Sequence, residues 1–141
     1  MGRKYDPAVL ERCIAVIPAL NPDPQVAPYV SALLRRGFRQ VVVVDDGSDG
    51  SCGETFRALE GTHGCTVLHH ERNLGKGRAL KTAFAHILNC PLWEGSAVVT
   101  ADADGQHGLN DVCAVAAAAA GEEKRLVMGV RDLGLPSVPT R

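Results

Sequence analysis

The sequence contains no long apolar segment. No stretch approaches the roughly 18–20 consecutive apolar residues that a membrane-spanning helix needs, and residues 1–6 lack the apolar run of a signal peptide. Neither a membrane-spanning nor a secreted class is therefore indicated by these residues. We expect a soluble chain that is located in the cytoplasm.

Cysteine is scarce and scattered. The five cysteines, Cys13, Cys52, Cys65, Cys90 and Cys113, are odd in number and form no Cys-x-x-Cys pair. Because a zinc site or a dithiol redox site typically uses that spacing, neither site is expected. We interpret the five side chains as buried thiols of a reducing compartment.

The chain also lacks an excess of charge of either sign. With 15 basic and 16 acidic residues its formal net charge is -1, so no overall field attracts nucleic acid or an anionic membrane. No nucleic acid partner is expected, and an anionic ligand has to be bound by local groups. At 141 residues the chain has the length of one domain. A domain of this size buries roughly two thirds of the surface that its unfolded chain exposes.

Short apolar runs alternate with helical patterns along the chain. The runs are rich in β-branched residues and occupy 13–17, 40–44, 65–68, 97–101 and 126–130. Apolar residues recur at helical spacing in 26–34, 80–88 and 109–116, and 53–59 is a shorter candidate helix. This alternation predicts an α/β fold with one open, mostly parallel twisted sheet and helices on both faces. No repeat or linker divides residues 1–141, so one domain is expected.

Polar clusters follow each predicted strand. They lie at 18–21, 45–49, 73–77, 102–107 and 131–132. Ligands of open α/β sheets bind beyond the carboxyl ends of the strands, and these ends meet at one edge of a parallel sheet. The coincidence of these polar loops therefore predicts one binding site at that edge.

The cluster after the fourth run contains a candidate metal site. Asp102 and Asp104 are two residues apart where the chain leaves a strand, so both carboxylates can point the same way. Gln106 continues the spacing and offers a carbonyl oxygen, and such oxygen ligands suit Mg²⁺ or Mn²⁺. Taken alone, an Asp-x-Asp pair is more often a polar turn. An EF-hand loop is excluded, because His107 and Cys113 stand where its glycine and glutamate belong.

Two further clusters are candidates for nucleotide contacts. At least one carboxylate of Asp45 and Asp46 should lie at the mouth of the site and accept a base or ribose hydrogen bond; a type I turn is the alternative. Gly75 and Lys76 open a helix whose N-terminus suits an anion, although a flexible helix start explains them equally well. The residues around them match neither a Walker A loop nor a dinucleotide-binding fingerprint.

The histidines near these loops give weaker signals. His69, His70 and Glu71 begin no His-Glu-x-x-His motif, because Leu74 stands where the second histidine belongs. We interpret His69 and His70 as surface residues at the end of a strand. His107 lies beside the carboxylates of the candidate metal site and is interpreted as a loop residue; a contact to phosphate or metal is the alternative.

Four of these segments together resemble the family 2 glycosyltransferases, which have the GT-A fold, a Rossmann-like open sheet. The segments are 16–21 (VIPALN), 43–48 (VVDDGS), 73–80 (NLGKGRAL) and 101–107 (ADADGQH). Their order and spacing cover nearly the whole chain. The last of them, together with 129–132 (GVRD), is most similar to the branch of dolichyl-phosphate mannose synthase and bacterial polyprenyl-phosphate hexose transferases.

The resemblance implies an inverting transferase that moves a hexose from a UDP- or GDP-sugar to a polyprenyl or dolichyl phosphate. It implies Mg²⁺ or Mn²⁺ as the cofactor, held by Asp102, Asp104 and Gln106. It also makes Asp104 and Arg131 the catalytic residues, with Arg131 against the donor diphosphate or the acceptor phosphate. Because the acceptor phosphate is already ionised, the reaction needs no strong general base.

The resemblance also implies a nucleobase pocket lined by Pro18, Leu20 and Asp46. Together with the strand-end loops, it assigns donor binding to Pro18, Leu20, Asn21, Asp45, Asp46, Gly75, Lys76 and Asp102.

The chain departs from the family pattern in two respects. Gly108 replaces a proline that is common after the Asp-x-Asp segment, and the family continues well past Arg131 with acceptor-side residues and often membrane anchors. We therefore expect 1–141 to be a C-terminally incomplete nucleotide-sugar-binding domain, with any contact to the cytoplasmic face of a membrane made through the absent part.

Two other functions are weighed against the transferase. One is a truncated nucleotide-sugar-binding module without transferase activity. The other is a nucleotidyltransferase, but 18–21 lacks the glycine-rich basic loop that such an enzyme needs after its first strand.

Overall fold

Four parallel strands form the centre of the structure. The computed structural model describes residues 6–103 and 108–120. The strands are Cys13–Ala19 (β1), Gln40–Asp45 (β2), Cys65–His69 (β3) and Ala97–Thr100 (β4). They pair in the order β3-β2-β1-β4, and each pairing is parallel. The prediction of an α/β fold with an open parallel sheet is confirmed. The predicted strand at 126–130 lies outside the described residues.

Within the described residues, four α-helices accompany the strands. They are Val26–Arg36 (α1), Gly53–Glu60 (α2), Lys76–Leu88 (α3) and Leu109–Ala120 (α4). The apolar residues at helical spacing predicted α1 correctly, because Val26, Val30 and Leu33 lie on one side of the helix and are buried. It ends at Gly37, whose φ of 119° is a left-handed conformation that glycine adopts without strain. Among the described residues, no helix is both long and apolar enough to span a bilayer.

Both faces of the sheet are covered by helices. Alternate residues of β1 and β2 point to opposite faces, so Ile17 and Val43 pack in the core under α1, α2 and α4. Ile14 and Val42 belong to a second core cluster that contains the buried face of α3. This two-sided burial explains the uninterrupted valine run of β2, and each such side chain contributes roughly 1.5–3 kcal/mol. The prediction of helices on both faces is confirmed.

The carboxyl ends of the strands lie side by side at one edge. In the pairing register Ala19 stands opposite Asp45, and Asp45 stands opposite His69. Beyond β4, the Ala101 N–H donates to the Val16 carbonyl at 2.9 Å and keeps the chain against β1. The loops that follow all four strands therefore begin within a narrow strip of the molecule.

The cysteines are free thiols, as expected, but they are not uniformly buried. Cys13 and Cys113 are buried, whereas Cys52, Cys65 and Cys90 are half-buried, so the expectation of burial is wrong for these three. Cys65 begins the outer strand β3, and the other two lie next to helix ends. Burial raises the pKa of Cys13 and Cys65 to about 11, which leaves both as unreactive thiols at neutral pH.

Candidate functional site

An open cleft lies at the carboxyl edge of the sheet. Its volume is about 520 Å³. It is lined by the end of β1, by residues of the loops that follow all four strands and by the first residue of α3: Pro18, Ala19, Leu20, Asp46, Asn73, Gly75, Lys76, Asp102 and Ala103. Six residues that the sequence assigned to donor or metal binding meet here, namely Pro18, Leu20, Asp46, Gly75, Lys76 and Asp102. The strand-end rule therefore located the cleft correctly.

Asp46 is the most heavily hydrogen-bonded group of the cleft. Its side chain is almost fully buried, yet Oδ1 accepts a hydrogen bond from the Leu74 N–H at 2.9 Å and Oδ2 accepts one from the Gly75 N–H at 3.0 Å. His70 Nδ1 lies 2.8 Å from Oδ1. Burial alone would raise the pKa of Asp46, but these hydrogen bonds outweigh it and hold the pKa below its ordinary value. Asp46 is therefore an ionised carboxylate that ties the end of β2 to the start of α3.

The loops that carry Asp46 and Asn73 touch at Gly47. Its φ is 78°, and a Cβ built there would lie 2.2 Å from the Arg72 carbonyl carbon and 2.4 Å from the Asn73 nitrogen. Only glycine allows this close approach of one backbone to the other. Gly47 therefore sets how near the Asn73 side of the cleft comes to Asp46.

Lys76 and Asp102 form an ion pair at the cleft. Lys76 Nζ lies 3.0 Å from Asp102 Oδ1, and the Lys76 side chain is 63% exposed. Lys76 was predicted to meet an anionic ligand, and in this structure its partner is the carboxylate predicted to bind metal. The pair shows that the Asp102 position stabilises a positive charge.

Asp45 and Asn21 shape the loop after β2 instead of lining the cleft. Asp45 Oδ1 accepts a hydrogen bond from the Ser48 N–H at 2.9 Å and so closes a turn, but Gly47 has a φ of 78°, so this is not the type I turn of the alternative interpretation. Asn21 has a left-handed φ of 48° and its Oδ1 accepts from the Asp49 N–H at 2.9 Å. Both side chains therefore brace the loop from which Asp46 enters the site.

The remaining predicted residues fall outside the part of the chain that the structure describes. They are Asp104, Gln106, His107 and Arg131. Within residues 6–103 and 108–120, no group of three or more His, Cys, Asp or Glu side chains is arranged to hold a metal ion. The metal ligand set and the role of Arg131 stay predictions.

A sequence comparison supplies the family. The sequence model of the glycosyl transferase family 2 matches residues 14–138, which include the whole cleft and, apart from Cys13, the four strands of the described residues. The chain belongs to glycosyl transferase family 2. The resemblance read from the four segments is confirmed, and the open parallel sheet agrees with the GT-A fold of this family.

Two curated proteins are similar to this family 2 chain. It is 33% identical to an uncharacterized protein of Methanocaldococcus jannaschii, over 72% of this chain and 39% of that protein. It is 28% identical to the UDP-N-acetylglucosamine–dolichyl-phosphate N-acetylglucosaminyltransferase of Methanococcus voltae, over 82% of this chain and 50% of that enzyme. The chain thus spans half or less of the curated relatives that it matches.

Two residues near the cleft were missed or misread in the sequence. Asn73 lines the cleft, and its Oδ1 accepts a hydrogen bond from the Gly75 N–H at 3.0 Å. His70 was expected at the surface, but its side chain is only 9% exposed, so that expectation is wrong. The physical reason is its position one residue past the Asp45–His69 pair, where it stands beside Asp46. Asp46 and His70 each come one residue after the end of neighbouring parallel strands, and this equal spacing could have revealed that the two side chains meet.

His69, in contrast, is an exposed strand-end residue, as expected. Its Nδ1 lies 2.8 Å from Asp45 Oδ2 and its Nε2 lies 3.2 Å from Glu60 Oε2. The ring also makes an edge contact with Phe56, at a centroid distance of 5.8 Å. Burial alone would lower the pKa of His69, but the hydrogen bonds and charges of Asp45 and Glu60 outweigh it and raise the pKa above its ordinary 6.5.

We expect His69 to stabilise the fold in a pH-dependent way. Because its folded pKa is raised, its contribution is fully present below pH 6.5 and declines as the pH rises through the raised value. Replacing His69 with glutamine should lower the free energy of unfolding by about 0.2–1 kcal/mol at pH 6, the range of exposed ion pairs, and by less at pH 9. Urea titrations at both pH values measure this, with His63→Gln, another exposed histidine, as the control. An equal loss at the two pH values would contradict the prediction.

Proposed function

We propose that this chain binds the nucleoside diphosphate part of a nucleotide sugar in the cleft, as the donor side of an inverting glycosyltransferase. The observation that carries the proposal is the convergence of four strand-end loops on one cleft, which brings apolar, acidic and basic groups together. The family supports glycosyl transfer, and the name of the Methanococcus voltae relative supports a dolichyl or polyprenyl phosphate acceptor.

The apolar side of the cleft suits a nucleobase. Pro18 and Leu20 lie there, and Leu20 is 45% exposed although it is a large apolar side chain. Asp46 stands on the same cleft with three of its roughly four lone-pair positions occupied by Leu74, Gly75 and His70. The remaining position can accept one hydrogen bond from a base N–H or a ribose hydroxyl. Pro18, Leu20 and Asp46 thus provide stacking surface and one fixed acceptor.

The charged side of the cleft suits a diphosphate with its metal ion. Asp102, Asp104 and Gln106 would hold Mg²⁺ or Mn²⁺, and the carboxylate of Asp102 fits this role because it already lies against a cation. When bound, the metal neutralises the leaving nucleoside diphosphate. Lys76 is mostly exposed, so its ammonium group can leave Asp102 and pair with a phosphate oxygen at little cost. We assign Arg131 to the donor diphosphate or the acceptor phosphate.

The acceptor chemistry follows from the charge of a lipid phosphate. An ionised phosphate oxygen is itself the nucleophile, so attack on the anomeric carbon with inversion needs no strong base from the chain. A donor-binding module without transferase activity is the second candidate, since each cleft group described above serves the donor. A transfer assay with polyprenyl phosphate separates the two candidates.

Calorimetry with UDP, GDP and UMP, with and without Mn²⁺, tests the proposal. We expect one of the two diphosphates to bind at least about tenfold more tightly with Mn²⁺, equivalent to about 1.4 kcal/mol. UMP should gain far less, because it lacks the second phosphate whose charge the metal would neutralise. Binding of neither diphosphate, or binding that ignores the metal, would refute the proposal for this chain.

A further inference from the structure

His70 connects the cleft carboxylate to a helix. Its Nδ1 lies 2.8 Å from Asp46 Oδ1, and its Nε2 lies 2.8 Å from Thr82 Oγ1. Thr82 belongs to α3, while Asp46 follows β2. The imidazole is therefore a bridge of two hydrogen bonds between the helix and the cleft, and it is not itself among the residues that line the cleft.

The chemistry of Asp46 fixes the protons of this bridge. An ionised carboxylate can only accept, so His70 Nδ1 carries the hydrogen that it donates to Asp46. In the neutral imidazole Nε2 is then an acceptor, and the Thr82 hydroxyl donates to it. In that neutral form the bridge runs in one direction, from the Thr82 hydroxyl through His70 to Asp46.

The bridge changes what holds Asp46 in place. The other two donors to its carboxylate, the N–H groups of Leu74 and Gly75, belong to the loop that forms a wall of the cleft. His70 is the donor that links Asp46 to the middle of α3, where Thr82 lies. The helix is packed there, because Ala79 and Ala83 on either side of Thr82 are buried. A side chain held by packed elements keeps its orientation better than one held by a loop alone.

We propose that His70 is a positioning residue that orients Asp46 for the nucleoside part of the donor, with Thr82 as its anchor. The inference rests on the proposed function, since it takes the base or the ribose as the partner of Asp46. His70 does not reach the Lys76–Asp102 pair, which is proposed to meet the diphosphate and the metal. Loss of His70 therefore weakens recognition of the nucleoside and leaves recognition of the diphosphate intact.

The test compares binding of a nucleoside diphosphate with binding of inorganic pyrophosphate, each with Mn²⁺, by calorimetry. His70→Leu should weaken binding of the diphosphate that wild type prefers, UDP or GDP, by about tenfold, the cost of the charge-assisted hydrogen bond that a misoriented Asp46 no longer makes to the nucleoside. Pyrophosphate affinity should not change. His70→Asn, which keeps an N–H near the Nδ1 position, should restore most of the loss. A merely structural role would lower both affinities together and would not be rescued.

A second pair of variants keeps the test decisive if His70→Leu does not fold. Thr82→Val removes the hydroxyl at nearly constant volume and should weaken nucleoside diphosphate binding by about two- to threefold, whereas Thr82→Ser should match wild type. Unchanged binding by both His70→Leu and Thr82→Val, or by Thr82→Val alone where His70→Leu does not fold, overturns this inference and leaves the proposed function standing. A wild-type chain that binds no nucleotide overturns the proposed function, and the inference with it.

Discussion

Replacing Gly47 with alanine is expected to lower the free energy of unfolding by about 2–5 kcal/mol. One part of the loss is the left-handed φ of 78°, which costs a residue with a Cβ about 1–2 kcal/mol. The other part is the clash with the backbone of Arg72 and Asn73, which cannot be relieved by rotating a side chain. Forced overpacking of this kind costs about 1–3 kcal/mol. Urea denaturation of the 141-residue chain measures the sum.

Gly50→Ala is the matched control for that experiment. Gly50 lies three residues further along the same loop region, its φ is not left-handed, and a Cβ there meets no atom within 4 Å. The free energy of unfolding of the Gly50→Ala variant should stay within about 0.5 kcal/mol of wild type, as for most surface substitutions. Any Gly47→Ala protein that folds should also bind nucleoside diphosphate less well, because the Asn73 wall must move away from Asp46. Equal stability of the two variants would argue against the close approach at Gly47.

Asp102→Asn is expected to abolish the metal-dependent part of nucleoside diphosphate binding. The substitution removes one carboxylate of the proposed metal site and should return the affinity measured with Mn²⁺ to its metal-free level. A loss of at least about tenfold follows, since even groups that only support a metal ligand are worth 10- to 100-fold in metal affinity. Metal-free binding should persist or improve, because Lys76 is no longer paired with an anion and can meet the diphosphate.

The control for this variant is Asp111→Asn, which removes an exposed carboxylate from the first turn of α4, outside the cleft. It should bind like wild type with and without Mn²⁺. Titrations of each variant with UDP and GDP, with and without metal, give the comparison. Retention of the full metal effect by Asp102→Asn would exclude Asp102 from the metal site.

The positions of strands and helices could be predicted because burial leaves a periodic trace in the sequence. The valine run of β2 is covered on both faces, and the buried residues of α1 recur at helical spacing. The position of the cleft could be predicted for a related reason: once a sheet is parallel, the loops after its strands share an edge. Neither step needs knowledge of any side-chain contact.

The contacts within the cleft could not be predicted in the same way. Asp45 and Asp46 are neighbours in sequence, but adjacent residues at a strand end point in opposite directions, and only Asp46 enters the cleft. Which of the two does so depends on the register of β2 with β3, which also brings His70 to Asp46. Such pairings join residues far apart in the chain, so a local pattern carries no record of them.

The partner of Lys76 illustrates the same limit. Lys76 follows β3 and Asp102 follows β4, and these are the outer strands of the four-stranded sheet. They meet because α3 packs on β2 and β1, which lie between the outer strands. Lys76, the first residue of α3, can therefore reach Asp102 after β4. A prediction from the sequence could place both residues at one edge, but not at 3.0 Å from each other.

The Lys76–Asp102 pair has a consequence for the speed of association. The Lys76 cation of the cleft is matched by a carboxylate, and the chain has a net charge of -1, so these groups project little positive potential into the solvent. For an anionic nucleotide, the proposed ligand, we therefore expect an encounter rate that varies little with ionic strength. Selection of the proposed donor would then depend on how long the bound molecule stays and not on how often it arrives.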